Sequence, residues 1–283
     1  MLTPPKRATA PERILAYGGP GQGKSAMWID IAQKMHEQGN PGKVVVIDSD
    51  NAVEAMFGEG YGHLADRVVN FPVYEWADLR DAKTEIVGMN LTIEDWLVHD
   101  MISFPYTEVR QHYVNTVLGM DLEDYLVETA KLINMARAEG AKGHEKDFGD
   151  FTTKEWTHMA KIYLAYEVPL VMRMKCHVLA LAEERDVDEH RGATATQIKR
   201  YKVVGGSKPY VNNTAEHRFR SVMRVLAPGD HFELKRQKDR YRIARWEKKA
   251  TRNTLNVGDM NEDGGFVKAY LMDIARWRIR GDG

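Results

Sequence analysis

Residues 18–25 read Gly18-Gly19-Pro20-Gly21-Gln22-Gly23-Lys24-Ser25, which satisfies the spacing G-x-x-x-x-G-K-[ST]. Few short patterns restrict a fold as much. Glycines let successive backbone N–H groups wrap a phosphate, and the N-terminus of a following helix adds partial positive charge. Lys24 then reaches the β- and γ-phosphates, and the Ser25 hydroxyl ligates Mg²⁺. The geometry needs a strand running in and a helix running out, and both are predicted here. Arg13–Tyr17 reads as a short strand. Met27, Ile31 and Met35 recur at i, i+4 on one face of a helix that Gly39 stops.

The rest of the chain extends that unit. Val44–Ile47 is an unbroken β-branched run, as expected of a parallel strand buried on both faces. Val68–Phe71, Trp96–Val98 and Cys176–Ala182 predict further strands, and Glu75–Val87 a helix. Strands alternating with helices argue for an α/β fold with a mainly parallel sheet. Residues 104–151 depart from the alternation and read as a helical insertion. Its second stretch repeats Leu122, Tyr125, Leu126, Thr129, Leu132, Ile133 and Ala136 at helical spacing. Thr152-Thr153-Lys154-Glu155 has capping-box spacing and predicts a new helix. After residue 200 the pattern turns to short strands, with Ala227-Pro228-Gly229-Asp230 as a hairpin turn. Phe266, Tyr270, Ile274 and Trp277 mark an amphipathic helix over 262–281. A single domain over 1–283 is expected.

Charge narrows the choice of partners. The 40 Lys plus Arg nearly balance 41 Asp plus Glu, but residues 1–184 hold 18 basic and 28 acidic side chains, whereas residues 185–252 hold 18 basic and 8 acidic. Aromatics interleave the basic block, which points to nucleic acid or phosphates; the alternatives are a solvated β-surface or an edge that docks on a neighbour's acidic face. A lone Cys176 allows neither an internal disulfide nor a cysteine-based zinc site, fits a reducing cytoplasm, and reads as core. No apolar run approaches the ~20 residues that span a bilayer. Met1–Pro11 lacks the apolar centre of a signal peptide, so no membrane association is expected.

Acids at strand ends are the candidates for nucleotide chemistry. Asp100 closes an apolar strand, where a carboxylate can hold the Mg²⁺ shell or cap the next turn of chain. His99 beside it reads as packing. Asp48 and Asp50 close another strand and project from opposite faces, so only one easily faces the nucleotide as a base for water.

Here the sequence resembles a family. Ile47-Asp48-Ser49-Asp50-Asn51-Ala52 is similar to the RecA-type pattern Ile-Asp-x-Glu, whose glutamate is the catalytic base; the resemblance assigns that role to Asp50, one methylene shorter. Trp96–Ser103, ordered strand-Asp-x-x-Ser, resembles the family's Mg²⁺-associated strand and makes Asp100 the partner of Ser25. Cys176–Ala182 leads into Glu183-Glu184, where RecA-like proteins place a polar γ-phosphate sensor, often Gln or His; this implies Glu183. Lys235-Arg236-Gln237-Lys238-Asp239-Arg240 is similar to the Lys-x-Arg element that reaches a neighbour's γ-phosphate, which makes Lys238 a lysine sensor and Arg240 an arginine finger in trans. The bland alternative is an exposed basic strand. DNA-binding loops follow the sensor strand in this family. Lys199, Arg200, Lys202 and Lys208 would then track phosphates, and Tyr201 or Tyr210 stack on bases.

The layout most resembles phage-encoded RecA-like nucleotide-binding proteins linked to single-strand annealing and recombination, over residues 12–105 and 152–245. It implies a RecA-like P-loop NTPase core with a helical insertion and a basic β-rich C-terminal part. It also implies ATP hydrolysis with Mg²⁺ and action on single-stranded DNA in recombination, annealing or strand transfer. A homo-oligomer (ring or filament) in the host cytoplasm is implied too, with a single-strand-binding or recombination protein as possible partner. A phage helicase-like or DNA-packaging motor is the runner-up. A non-catalytic ATP-binding scaffold stays open; a nucleotide kinase needs an acceptor pocket and an Arg-rich lid, which the acidic insertion does not supply.

Overall fold

β1 (Arg13–Gly18) runs into the glycine-rich loop and α1 (Ala26–Glu37) runs out of it. The computed structural model describes residues 11–138, 151, 153–187, 194–202, 205–212, 214–227, 232–239, 254–258 and 265–271. The chain continues through β2 (Val44–Asp48), α2 (Ala52–Met56), β3 (Val68–Pro72), α3 (Trp76–Gly88) and β4 (Trp96–Asp100). Three helices follow, α4 (Ser103–Tyr113), α5 (Leu122–Ala138) and α6 (Thr153–Val168). Then come β5 (His177–Asp186), α7 (Ala195–Lys202), β6 (Ser207–Pro209), β7 (Ser221–Leu226), β8 (Phe232–Asp239) and β9 (Thr254–Gly258).

The sheet order is β3-β2-β4-β5-β1-β7-β8-β9, with β6 beside the end of β5. β3 through β7 are parallel, and β8 and β9 add antiparallel strands at the far edge. The fold is therefore α/β with a mainly parallel sheet. Period-2 alternation explains why its strands are apolar throughout. In β1, Leu15 and Tyr17 join the core on one face while Ile14 and Ala16 join the core on the other; β2 divides Val45 and Ile47 from Val44 and Val46 in the same way. Each such fully buried aliphatic side chain contributes about 1.5–3 kcal/mol.

One face is covered by α3, α4 and α6, the other by α1 and a π turn at Val267–Leu271. Asp30 of α1 anchors that turn by accepting the Val267 N–H at 2.7 Å. Most of the predicted 262–281 helix lies outside the described residues. Within the stretch read as an insertion, α4 and the π turn after it bury Val109, Tyr113 and Val114 in the main core, whereas α5 leaves Leu126, Val127, Leu132 and Met135 exposed. Among the described residues no helix is long and apolar enough to cross a membrane. Cys176 is buried, and burial pushes its thiol up to about 12, as befits a core residue.

Parallel pairing brings the carboxyl ends of four strands to one edge. Gly18 lies opposite Glu183, and Asp100 lies between Asp48 and Leu181. Ligands of open α/β sheets bind outside this edge.

Candidate functional site

The loop after β1 opens onto a cleft of about 500 Å³ whose walls include Gly18, Gly19, Lys24, Asp50, Glu183 and Arg185. Residues from several strand ends thus meet around one loop. Gly21 and Gly23 have φ of 70° and 76°, the left-handed region that side chains disfavour. A Cβ on Gly23 would also come within 2.5 Å of the Phe232 ring, so the start of β8 packs directly on the glycine-rich loop. The Gln22 Oε1 accepts the Gly19 N–H at 2.9 Å and braces the loop from inside.

Lys24 folds back and donates to the carbonyls of Gly18 and Gly19 at 3.0 and 2.8 Å. Burial lowers its pKa, while Asp100, Asp50, Glu183 and Glu184 act in the opposite direction. Lys24 thus stands among four carboxylates, of which Glu184 is paired with Arg224, and carboxylate oxygens suit a hard divalent cation.

Asp100 is one such carboxylate. It is fully buried, its Oδ2 accepts the Trp28 Nε1–H at 3.0 Å, and its Oδ1 has no hydrogen bond that satisfies donor geometry. Burial pushes its carboxyl up to about 6; the Ser25 hydroxyl and Trp28 pull it back toward the charged form, and Asp50 and Asp48 add to the rise. A buried oxygen of this kind, close to Ser25, suits a hydrated Mg²⁺.

Asp48 and Asp50 have separate fates. Asp48 is 1% exposed and turns away from the cleft. Its Oδ1 accepts the N–H groups of Asp50 and Ala52 at 3.2 and 3.0 Å, and its Oδ2 accepts that of Val53 at 3.0 Å. It caps the short helix α2 and holds the Asp50 backbone. Asp50 is exposed on the cleft wall, and desolvation together with the Asp48 charge raises its pKa. Ser49 locks the two strand ends: its N–H donates to the Asp100 carbonyl at 2.7 Å, and its Oγ accepts the Met101 N–H at 2.9 Å. Ser103, read only as part of a motif, is buried, and its Oγ accepts the Glu183 N–H at 2.9 Å. That bond sets where Glu183 enters the cleft.

Sequence reasoning missed the ion pair beside it. Glu184 accepts from Arg224 Nε at 2.7 Å, across forty positions of chain that leave no local signal. A second unforeseen connection starts on the strand that leads into the glycine-rich loop. Tyr17 Oη donates to Gln237 Oε1 at 3.2 Å, Gln237 Nε2 donates to Glu216 Oε2 at 3.0 Å, and Glu216 also takes the Tyr201 hydroxyl of α7. Tyr201 is therefore buried, with Ile198 and Val187, and does not stack on bases as the sequence suggested.

Among the described residues after β5, α7 carries Lys199 and Lys202 exposed to solvent, with Arg200 in the same helix, and β6 places Lys208 opposite Arg185. Burial and the Arg185 charge lower the Lys208 pKa. Lys238 is not brought to this cleft. It pairs with Val222 near the start of β7, six residues along β8 from Phe232, about 20 Å at strand rise. β8 runs away from the loop, which sets the Lys238 backbone at the opposite end of that strand. Arg240 lies outside the described residues. His99 is buried against Tyr166, edge to face at 5.9 Å, as packing.

No protein-family model and no curated protein sequence matches the chain. Among solved structures it is similar to the RadB recombinase, at 13% identity and a TM-score of 0.41, over 82% of this chain and 84% of that one.

Proposed function

We propose that this protein is a RecA-like, Mg²⁺-dependent ATPase acting on single-stranded DNA in recombination, annealing or strand transfer. The observation that carries the proposal is the convergence of the Gly18–Ser25 loop, Lys24, Asp50 and Glu183 on one cleft, with Asp100 buried behind it. On this reading the backbone N–H groups of residues 18–25 cradle the triphosphate, and Lys24 leaves its two carbonyls for the β- and γ-phosphates. Ser25 and Asp100 hold Mg²⁺, which supplies neutralisation of phosphate charge. Asp50, held by the Asp48 cap, takes the proton of the attacking water. Glu183 senses the γ-phosphate. Lys238 and Arg240 act on a neighbouring subunit's nucleotide, which requires a homo-oligomer.

Lys199, Arg200, Lys202 and Lys208 form the DNA-facing cations. Their support is the exposure of Lys199 and Lys202, together with the hydrogen-bonded path from Tyr17 to Tyr201 that ties α7 to the loop strand.

The decisive experiment measures ATP turnover with and without single-stranded DNA, alongside the mass of the assembly. Expected are Mg²⁺-dependent turnover stimulated by DNA, and loss of turnover in a folded Lys24→Ala protein. Turnover unaffected by Lys24→Ala would refute the proposal.

A further inference from the structure

A second cavity, of about 600 Å³, lies behind Arg185 between α4 and α6. Its walls include Tyr106, Trp156, Tyr163, Arg185 and Asn212. Tyr106 stands edge to face with both Tyr163 and Tyr210, at 5.6 and 5.8 Å, and the Arg185 guanidinium lies over the Tyr210 ring at 5.3 Å. Besides the hydroxyls of Tyr106, Thr157 and Tyr163, which can donate or accept, two side chains here offer N–H donors. Arg185 Nε is buried without a hydrogen-bond partner. Asn212 has its Oδ1 occupied by the Thr214 N–H and hydroxyl, which leaves its amide N–H groups. Arg110 acts on Tyr106 from α4, and Lys208 sits opposite Arg185 in β6, so cations flank the cavity.

We propose that this cavity receives an unstacked nucleobase of a bound single strand. Aromatic faces stack on any base, the free donors meet the carbonyl and ring-nitrogen acceptors of a base edge, and the flanking cations hold the phosphates on either side. A purely apolar protein segment would leave the Arg185 Nε unsatisfied. The volume admits a base with its sugar. Arg185 also walls the nucleotide cleft, and the Tyr210 N–H donates to the Glu183 carbonyl at 2.8 Å, so an inserted base abuts the γ-phosphate side of the site.

This inference rests on the proposed action on single-stranded DNA, and the test separates the two. Affinity is measured by fluorescence anisotropy for a fifteen-nucleotide oligothymidylate and for an abasic strand of the same length. Wild-type protein should bind the abasic strand roughly tenfold or more weakly, the scale of one lost base stack. Trp156→Leu and Tyr106→Leu should each bring oligothymidylate toward the abasic value with an unchanged salt slope, since phosphate contacts remain. Binding to neither strand would sink the single-stranded DNA reading together with the pocket. Equal binding of both strands by wild type would overturn the pocket alone, and needs no variant to fold. A full preference for bases retained in either folded variant would place the stacking elsewhere and equally refute it.

Discussion

Replacing Asp48 by Ala and Asp50 by Asn should separate a cap from a catalytic base two residues away. Asp48 accepts three backbone N–H groups. Those of Asp50 and Ala52 are part-buried and regain water in Asp48→Ala, but that of Val53 is buried and does not. Loss of a cap costs about 1 kcal/mol, and a buried donor left alone adds about 1–3 kcal/mol. A total of about 2–4 kcal/mol corresponds to a fall in melting temperature of roughly 5–15 °C in a chain of this size. Asp50 is exposed, so Asp50→Asn should melt like wild type and still bind ATP. Its turnover should fall by about 10²-fold or more, as for loss of a general base. Calorimetry and a phosphate-release assay on the two variants read both effects. An unchanged melting temperature in Asp48→Ala refutes the cap, and near-wild-type turnover in Asp50→Asn refutes the base.

Mixing Arg240→Ala subunits with Lys24→Ala subunits should restore part of the turnover, because hybrid interfaces pair an intact loop with an intact finger; no recovery despite verified subunit exchange would remove the shared site. Changing Lys199, Arg200 and Lys202 together to Ala should flatten the salt dependence of DNA binding by roughly 2 in log–log slope, at about 0.7 per phosphate contact, and leave DNA-free turnover intact. An unchanged slope would reassign α7 to protein docking. Acid should destabilise the fold early. Burial pushes His99 down to about 3 and His177 to about 4, and His177 Nδ1 accepts the Glu12 N–H at 3.0 Å. Depressed folded-state pKa values mean this stability is full above about pH 6.5 and is lost progressively below it, by about 2 kcal/mol per ring at pH 5. In His99→Phe the fall between pH 7 and pH 5, read by urea unfolding, should be shallower by that amount; identical curves would contradict a neutral buried ring.

Local pattern in the chain specifies every feature that depends on neighbours within a few residues. The glycine-lysine-serine spacing located the turn between β1 and α1, the β-branched run of Val44–Ile47 announced a strand buried on both faces, and the turn expected at Ala227–Asp230, most of which lies outside the described residues, falls between the antiparallel strands β7 and β8. Local pattern could not settle which of two alternating acids faces the ligand. Asp48 and Asp50 differ only by side of an extended segment, and the choice fell to α2, whose free N–H groups claimed Asp48. Tyr201 looked like a stacking residue until Glu216, fifteen positions on, took its hydroxyl into the interior. The basic stretch after β5 read as a loop because β6 has three residues, too few for alternation to register, and becomes a strand only by pairing with Glu184–Asp186. Lys238 has the spacing of a Lys-x-Arg element, yet the antiparallel direction of β8 carried it to the far end of the sheet. Strand order, strand direction and the partners of buried polar groups are set by contacts between distant parts of the chain, and no window of sequence contains both members of such a contact.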